Sequence, residues 1–243
     1  MRKLLPLLLM LLPALVIAQK NAVKVNLSSL VARNYHVQYE RKIAPKLTLN
    51  LGVRIMPKGD LPMKSTFQNL LGVEDNDDFQ IDRFQIGNTA ITPELRIYLG
   101  KSAMKGFYIA PYARYASFDL SLPFDIEFNH PLTGPQTKPV VFEGKVTSFS
   151  GGVMFGTQFN LAKKLVLDIW WIGGHYGSSN GDLKLNVALP TQEERDALDQ
   201  TLRDFDPKPF EFDHTISPSG AVIKSTGPWA GIRGLGINLG FRF

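Results

Sequence analysis

The chain has 243 residues, 44% of them hydrophobic, a formal net charge of +5 at pH 7 and no cysteine. The lack of cysteine excludes disulfide bonds, thiol chemistry and cysteine-ligated metals, and so small a net charge does not predict binding to nucleic acid. Beyond the N-terminal stretch, no segment approaches the roughly 18 consecutive apolar residues that indicate a transmembrane helix.

Residues 1–18 predict a cleaved secretory signal peptide. Arg2 and Lys3 form a positive start, Leu4–Ile17 is apolar, and Ala18 supplies a small residue at the cleavage point. The apolar stretch is too short and wrongly flanked for a membrane-spanning helix. We therefore expect an exported chain whose mature part, residues 19–243, forms one domain.

Eight segments of the mature chain alternate apolar and polar residues, which is typical of β-strands with one apolar face. In chain order they are Val23–Ser28, Tyr35–Glu40, Leu47–Ile55, Ile91–Leu99, Phe107–Tyr115, Phe149–Phe159, Leu165–Ile172 and Gly234–Phe243. Most approach the roughly 9–11 residues with which a tilted strand crosses a bilayer. Pro93 and Pro111 lie within two of them and predict bulges or other irregularities, because proline cannot donate to the ladder.

The connections between these segments alternate between short and long. The short turns are Ile43–Lys46, Gly100–Gly106 and Asn160–Lys164, and the long connections are Pro57–Asn88, Phe118–Lys145 and Gly173–Pro228. Short periplasmic turns and longer external loops are typical of outer-membrane barrels, although the first external connection is short. The prediction is an all-β fold, an eight-stranded antiparallel up-and-down transmembrane β-barrel with long extracellular loops.

The last segment has the clearest alternation and ends on an aromatic pair. Its apolar face carries Leu239, Phe241 and Phe243. This pattern resembles the closing strand of bacterial outer-membrane barrels, whose terminal aromatic residue is part of the signal that the barrel insertion machinery reads. We therefore expect these three residues to form an insertion signal, with that machinery as a partner during biogenesis.

A soluble antiparallel sandwich would show the same alternation. The aromatic residues favour the barrel, because most of them lie near strand ends on the apolar face, as interfacial girdles do. They are Tyr35, Tyr39, Phe107, Tyr115, Phe159, Trp171, Phe241 and Phe243. With the signal peptide and the loop asymmetry, they predict a location in the bacterial outer membrane, in contact with its lipids and lipopolysaccharide.

The polar face of the strands carries charges that a closed barrel would enclose. This predicted interior network comprises Lys24, Glu40, Arg54, Glu94, Arg96, Arg114, Asp168 and Arg242. The charges would have to pair, because a buried unpaired charge is costly. One interpretation is a polar conduit or a small-anion site that uses the positive surplus. The favoured interpretation is a plug, since side chains fill the lumen of an eight-stranded barrel.

Two loop segments have recognisable patterns. Thr191–Glu194 fits a capping box, and Leu198, Leu202 and Phe205 follow at helical spacing, so we expect one short helix in the last loop. Its apolar face either docks on a partner or covers the barrel mouth. The acidic cluster Glu74–Asp78 has ligands suited to calcium but not the spacing of an EF-hand, which favours a solvated loop.

The sequence does not predict an enzyme. His175 lies near Ser178, Ser179 and Asp182, which are residue types used in acyl transfer, but such neighbours arise by chance in polar loops. The chain shows no nucleophile elbow, metal-ligand spacing or phosphate-cradling glycine loop. We therefore expect no catalytic residue, no cofactor and no bound metal.

Six stretches of the mature chain also point to a family: Asn21–Leu30, Val37–Arg41, Ala44–Lys46, Arg54–Gly59, Ile91–Gly100 and Gly106–Tyr115. Together they resemble a small outer-membrane barrel family of Bacteroidota that is catalogued as a domain of unknown function. The resemblance implies an OmpA-like or OmpW-like barrel fold in which the in-strand prolines are ordinary features. It implies no activity and carries over no catalytic residue.

These observations predict a structural or accessory subunit of a larger outer-membrane complex of the insertion, secretion or uptake kind. The filled lumen, the missing catalytic motif and the structured last loop favour this function. Two alternatives stay open at this point, a narrow pore for small solutes and a lipid A-modifying enzyme.

Overall fold

The computed structural model describes residues 20–61, 83–130, 133–204 and 209–243. The predicted signal peptide, the acidic cluster Glu74–Asp78 and Phe205 lie outside these ranges. Within the ranges, no helix is both long enough and apolar enough to cross a membrane.

The described chain is all-β apart from one α-helix and a short 3₁₀ turn. The strands are β1 (Asn21–Asn26), β2 (Tyr35–Ala44), β3 (Leu47–Asp60), β4 (Gln85–Tyr98), β5 (Gly106–His130), β6 (Gly134–Asn160), β7 (Leu165–Leu185), β8 (Glu211–Ser217), β9 (Gly220–Arg233) and β10 (Gly236–Arg242). The helix, α1, spans Gln192–Asp204, and the 3₁₀ turn Ser28–Ala32 joins β1 to β2.

Eight strands close into an antiparallel ring. Strands β1 to β7 pair in chain order, and β10 pairs with β7 on one side and β1 on the other. Leu239 of β10, for example, lies opposite Val25 of β1 and Leu167 of β7. The predicted all-β antiparallel fold with eight strands around the ring is confirmed. The described ranges nevertheless hold ten strands, because β8 and β9 lie in the last long connection.

The predicted loop over residues 118–145 is wrong. Strand β5 continues to His130, β6 begins at Gly134, and the two stay paired along their whole length. The apolar residues change sides of the sheet near Phe118. In the lower part of the strand, from Phe107 to Tyr115, they face outward. In the upper part, beyond Phe118, Leu122 and Phe124 face inward and are buried. The alternation therefore persists in the sequence, but with the apolar residues on the opposite parity.

The predicted loop over residues 173–228 is also wrong. Strand β7 continues to Leu185, and β9 runs beside the upper half of β7 while β10 runs beside its lower half. Only Gly234 and Leu235 separate β9 from β10. The small residues of upper β7 permit close strand packing, since a Cβ on Gly177 would collide with the carbonyl oxygen of Phe149.

The two prolines do not mark bulges. The pairs between β4 and β5 keep one register on both sides of Pro93 and of Pro111, although the ladder has no pair at either residue. Register shifts in the ring occur elsewhere, as between Phe155 and Gly156 of β6 opposite β7. The prolines thus interrupt the ladder without changing which residues face inward.

Above the ring, the extended parts of β5, β6 and β7 continue the same ten-stranded sheet together with β9 and β8, and α1 covers this upper part. We call this unit the helix-capped sheet. Its buried apolar core comprises Leu122, Phe124, Ile126, Val140, Phe142, Leu183, Leu185, Leu189, Leu198, Leu202, Ala221 and Ile223. Apolar burial therefore stabilises the upper unit in the manner of a water-soluble domain.

Helix α1 begins with the predicted capping box. The hydroxyl of Thr191 accepts a hydrogen bond of 3.3 Å from the backbone N–H of Glu194, whose carboxylate accepts one of 3.2 Å from the N–H of Thr191. Lys138 also donates to this carboxylate at 2.7 Å. Leu198 and Leu202 pack into the core of the helix-capped sheet. The predicted helix is confirmed over Gln192–Asp204, and Leu198 and Leu202 of its apolar face contact this chain rather than being left for a partner.

The capping carboxylate makes the upper unit sensitive to acid. Burial opposes ionisation of Glu194, but the hydrogen bonds from Lys138 and Thr191 outweigh it and lower the pKa of this carboxyl. The resulting stability is present above the unfolded-state pKa of about 4.3 and is lost as pH falls through the lower folded-state value.

We predict that Glu194→Gln lowers the free energy of unfolding at pH 7 by about 1 kcal/mol, and that the difference shrinks at pH 3. Urea unfolding followed by circular dichroism at 222 nm measures this. Glu193→Gln is the matched control, since Glu193 is exposed in the same helical turn. An equal loss at both pH values would contradict the capping role.

Candidate functional site in the lumen of the ring

The inner face of the ring carries buried polar and charged side chains, and most of the predicted network lies there. Five of its members form one connected cluster, namely Lys24, Glu40, Glu94, Arg96 and Asp168. Arg54 and Arg114 lie above this cluster, where they line a cavity. Arg242 lies apart from it, near the opposite end of the ring, where it donates a hydrogen bond to Asn160.

Lys24 links four strands, β1, β2, β6 and β7, at the centre of the cluster. Its ammonium Nζ lies 2.6 Å from Glu40 Oε2 and 2.6 Å from Asp168 Oδ2, and it donates to Gln158 Oε1 at 3.1 Å. Lys24, Glu40 and Asp168 have no solvent-exposed side-chain surface. Alternation along β1, β2 and β7 turns these three residues inward, and the closing pairs with β10 bring the strands together.

Arg96 is the second buried cation. Its guanidinium lies 2.6 Å from Asp168 Oδ2 and 2.9 Å from Glu94 Oε2, and it donates to Gln38 Oε1 at 2.9 Å. It also lies 4.7 Å from the centre of the Tyr108 ring. The planar guanidinium thus uses several of its donors, and Arg96 links strands β2, β4, β5 and β7 across the lumen.

The third cation, Arg233, was not predicted. Its Nη1 donates to Glu94 Oε1 at 2.9 Å, and its guanidinium stacks over Trp170 at 4.4 Å and Tyr112 at 4.8 Å. The sequence does not predict it, because Arg233, at the end of β9, falls between the predicted connection Gly173–Pro228 and the predicted last strand Gly234–Phe243. The alternation of Ala221 and Ile223 in the same strand was the available signal.

Neutral side chains complete the cluster. Tyr98 and Thr48 donate to Glu40 at 2.7 Å and 2.6 Å, and Tyr108 donates to Asp168 at 2.7 Å. Gln38, Asn50 and Asn238 donate further hydrogen bonds, and Gln158 accepts the one from Lys24. All of these residues lie on the inward parity of their strands, so the alternation predicts their direction but not their partners.

Within the described cluster, three cations offset three carboxylates. The cations are Lys24, Arg96 and Arg233, and the carboxylates are Glu40, Glu94 and Asp168. The attraction within a buried ion pair offsets the free-energy cost of desolvation only when the geometry is good and the remaining polar atoms are hydrogen-bonded. Here each carboxylate accepts several hydrogen bonds. This arrangement holds the side chains that fill the lower lumen in fixed positions.

A cavity of about 460 Å³ lies above the cluster. Arg54, Arg114 and Arg233 line it together with His175, Trp170 and Trp229. The 3₁₀ turn between β1 and β2 and the link between β9 and β10 form part of its rim. The chemistry of this cavity is therefore cationic and aromatic, in contrast to the charge-balanced cluster below it.

The residue types considered for acyl transfer do not converge. His175 and Ser179 lie on the inward parity of β7, whereas Ser178 and Asp182 are exposed on the outward parity. His175 Nδ1 instead lies 3.2 Å from the Tyr112 hydroxyl, and Ser179 donates to the carbonyl of Gly227. In the part of the chain that the structure describes, no group of three or more metal-ligating side chains is present.

The predicted insertion signal lies on β10 and just beyond it. Leu239 and Phe241 are exposed on the outer face of the ring, and the ring of Phe241 lies 5.5 Å from Lys164 Nζ. The backbone of Phe243 pairs with Asn21 through two hydrogen bonds of 3.0 Å. Recognition of these residues by an insertion machinery stays a prediction.

We predict that Asp168→Asn lowers the free energy of unfolding by about 3 kcal/mol or more, because it leaves Lys24 and Arg96 without a full counter-charge. Asp182→Asn, the same change at an exposed outward position of the same strand, should alter stability by less than about 0.5 kcal/mol. Urea unfolding of both variants in detergent micelles measures the difference. Equal unfolding midpoints would contradict a stabilising role for the cluster.

A family model described as "Protein of unknown function (DUF3575)" matches residues 4–180. No curated protein matches the chain. The family match fits the resemblance to a domain family of unknown function that the sequence indicated. Because it covers well over half of the 243 residues, the chain belongs to this family.

Proposed function

We propose that this chain is a transmembrane β-barrel of the bacterial outer membrane, of the small OmpA-like or OmpW-like kind and from a member of the Bacteroidota. In this proposal it acts as a structural or accessory subunit of a larger outer-membrane complex. The observation that carries the membrane assignment is the distribution of polarity around the ring. Charged side chains are buried inside it, and large apolar side chains are exposed outside it.

The exposed apolar residues surround the whole ring. Five of them, each on a different strand, are at least 37% exposed to solvent: Val53 of β3, Ile91 of β4, Phe107 of β5, Phe155 of β6 and Leu239 of β10. A soluble sandwich would bury such a face. The hydrocarbon core of a bilayer favours these exposed apolar side chains. A closed sheet is also stable there, because its backbone N–H and C=O groups are hydrogen-bonded to one another.

The height of the apolar wall matches a bilayer. On β5 the outward-facing residues are apolar from Phe107 to Tyr115, a stretch of nine strand residues. A tilted strand crosses a membrane with roughly 9–11 residues. Above this level the outward residues become polar, at Asp119 of β5 and at Lys145 of β6. Exposed Tyr115, beside Phe149 in the neighbouring strand, fits an interfacial aromatic girdle.

The filled lower lumen favours an accessory role over transport. The charged cluster spans the ring from β1 to β5 through hydrogen bonds between fully buried side chains, and such a lumen has little free volume for a solute. The helix-capped sheet then provides the surface on the outer side of the membrane. Its edge strand β8 pairs with β9 alone among the described strands, and a free edge is a common docking site for another chain.

Affinity purification from the chain's own outer membrane tests this proposal. We predict that a tag inserted between Asn186 and Val187, an exposed segment between β7 and α1, co-purifies a partner at near-equal amounts in mild detergent. A photoreactive amino acid at exposed Asp213 on β8 should crosslink to that partner, because it lies at the free edge. The same amino acid at exposed Lys105, at the opposite end of the ring, is the matched control.

A chain that elutes alone and gives no crosslink at Asp213 would contradict the accessory role. Discrete conductance steps in planar bilayers would then replace it with the narrow-pore alternative. A change in the mass spectrum of lipid A on deletion of the chain would replace it with the enzyme alternative.

A further inference from the structure

The cavity above the charged cluster is an independent feature of the ring. It lies where the ring meets the helix-capped sheet, and its volume of about 460 Å³ suits a small solute or a lipid headgroup. We propose that it binds a phosphate monoester group. This inference does not require the accessory role, because binding is a property of the isolated chain.

Three arginines line the cavity, and none of the described residues that line it carries a carboxylate. Arg233 is paired with Glu94 below it. Arg114 donates to the hydroxyl of Thr92 at 3.1 Å and makes no ion pair with any described residue. Arg54 likewise has no ion pair or hydrogen bond to a described side chain. The cavity therefore holds two guanidinium groups that form no ion pair with a described side chain.

The charge balance of the lumen localises this surplus. Lys24, Arg96 and Arg233 are offset by three carboxylates in the cluster below, so the excess of two positive charges belongs to Arg54 and Arg114. Burying an uncompensated charge is costly. A phosphate monoester, which carries between one and two negative charges near neutral pH, matches the surplus in sign and size, whereas a single carboxylate does not.

Buried donors in the cavity wall point to the same class of ligand. Arg54, Arg233 and Trp170 all line the cavity, and Arg54 Nε, Arg233 Nε and Nη2, and Trp170 Nε1 have no acceptor among the described residues. Unmatched buried donors are unfavourable. Phosphate oxygens accept several hydrogen bonds at once, and arginine binds them in a planar, two-pronged geometry.

The rest of the wall suits the organic part of an ester. Phe118 and Trp229 pack with ring centres 5.0 Å apart, and both line the cavity. At the rim, Ile232 is 80% exposed and Leu235 is 63% exposed. An apolar substituent of the phosphate can therefore extend past these residues, whether it belongs to a soluble ester or to a phospholipid.

Isothermal titration calorimetry on the purified full-length chain in detergent tests the proposal. Inorganic phosphate and dihexanoyl phosphatidic acid are the two probes, each titrated against chloride at equal ionic strength. We predict saturable binding by the wild-type chain, weakened about tenfold or more by Arg54→Gln and by Arg114→Gln, since each removes a charged hydrogen-bond donor. Arg41→Gln, at an exposed position on β2, is the matched control and should bind like the wild type.

The two probes distinguish the source of the phosphate. Binding of both identifies a site for free phosphate or its esters, and binding of the lipid alone identifies a headgroup site, provided the arginine variants weaken it. Both cavity variants should fold, because each removes a charge that has no ion pair with a described residue, and unfolding midpoints no lower than that of the wild type check this. No binding of either probe, or equal affinity in Arg54→Gln, Arg114→Gln and the wild type, would overturn the proposal.

Discussion

The pairing of buried charges inside the ring is the interaction on which the rest of this structure depends. Lys24 and Arg96 share the carboxylate of Asp168 at 2.6 Å each, so charged groups of β1, β4 and β7 meet at one point. These strands are far apart in sequence and come together only when the ring closes. Closure and charge pairing therefore stabilise each other. An open ring would leave these charges unpaired, and a ring with neutral inward residues would lack the ion pairs that connect β1, β4 and β7.

An interior of this kind dictates what lies outside. The inward residues of the ring strands are polar, so the apolar residues of the same strands must face outward. Near Phe118 the assignment reverses, and the helix-capped sheet has an apolar core and a polar surface. Strands β5, β6 and β7 each pass through both regimes. In the proposed outer-membrane barrel, the level of this reversal would be the boundary between membrane and water.

The sequence predicted the ring well because its information there is local. Period-two alternation in segments such as Leu47–Ile55 gives both the strand and the face of every residue, and the capping box at Thr191 gives the start of α1. The upper halves of β5, β6 and β7 were missed because the reversal of parity near Phe118 has no turn residue to mark it. Segments such as Leu183–Leu185 alternate apolar and polar residues, but they follow glycines and serines, which are typical of loops.

The candidate site could be predicted only in part, for a different physical reason. Parity shows that Lys24, Asp168 and Arg96 point inward, but their pairing depends on the relative stagger of non-adjacent strands. Arg233 was missed because most of β9 lies in the predicted connection Gly173–Pro228, and the residue itself falls just before the predicted last strand. The surplus charge of Arg54 and Arg114 emerges only after the other charges have been paired in three dimensions, so composition alone indicates a positive excess without placing it.

Site-directed spin labelling of the chain in lipid vesicles tests the central claim, that the apolar wall of the ring faces lipid, most directly. The chain has no cysteine, so single cysteines at Ile109 and Ala113 of the wall, and at Asp119 and Glu127 above it, can each carry one nitroxide. The account predicts that oxygen collides more with the first pair and that a water-soluble nickel complex collides more with the second. Equal collision with the nickel complex at all four positions would contradict it.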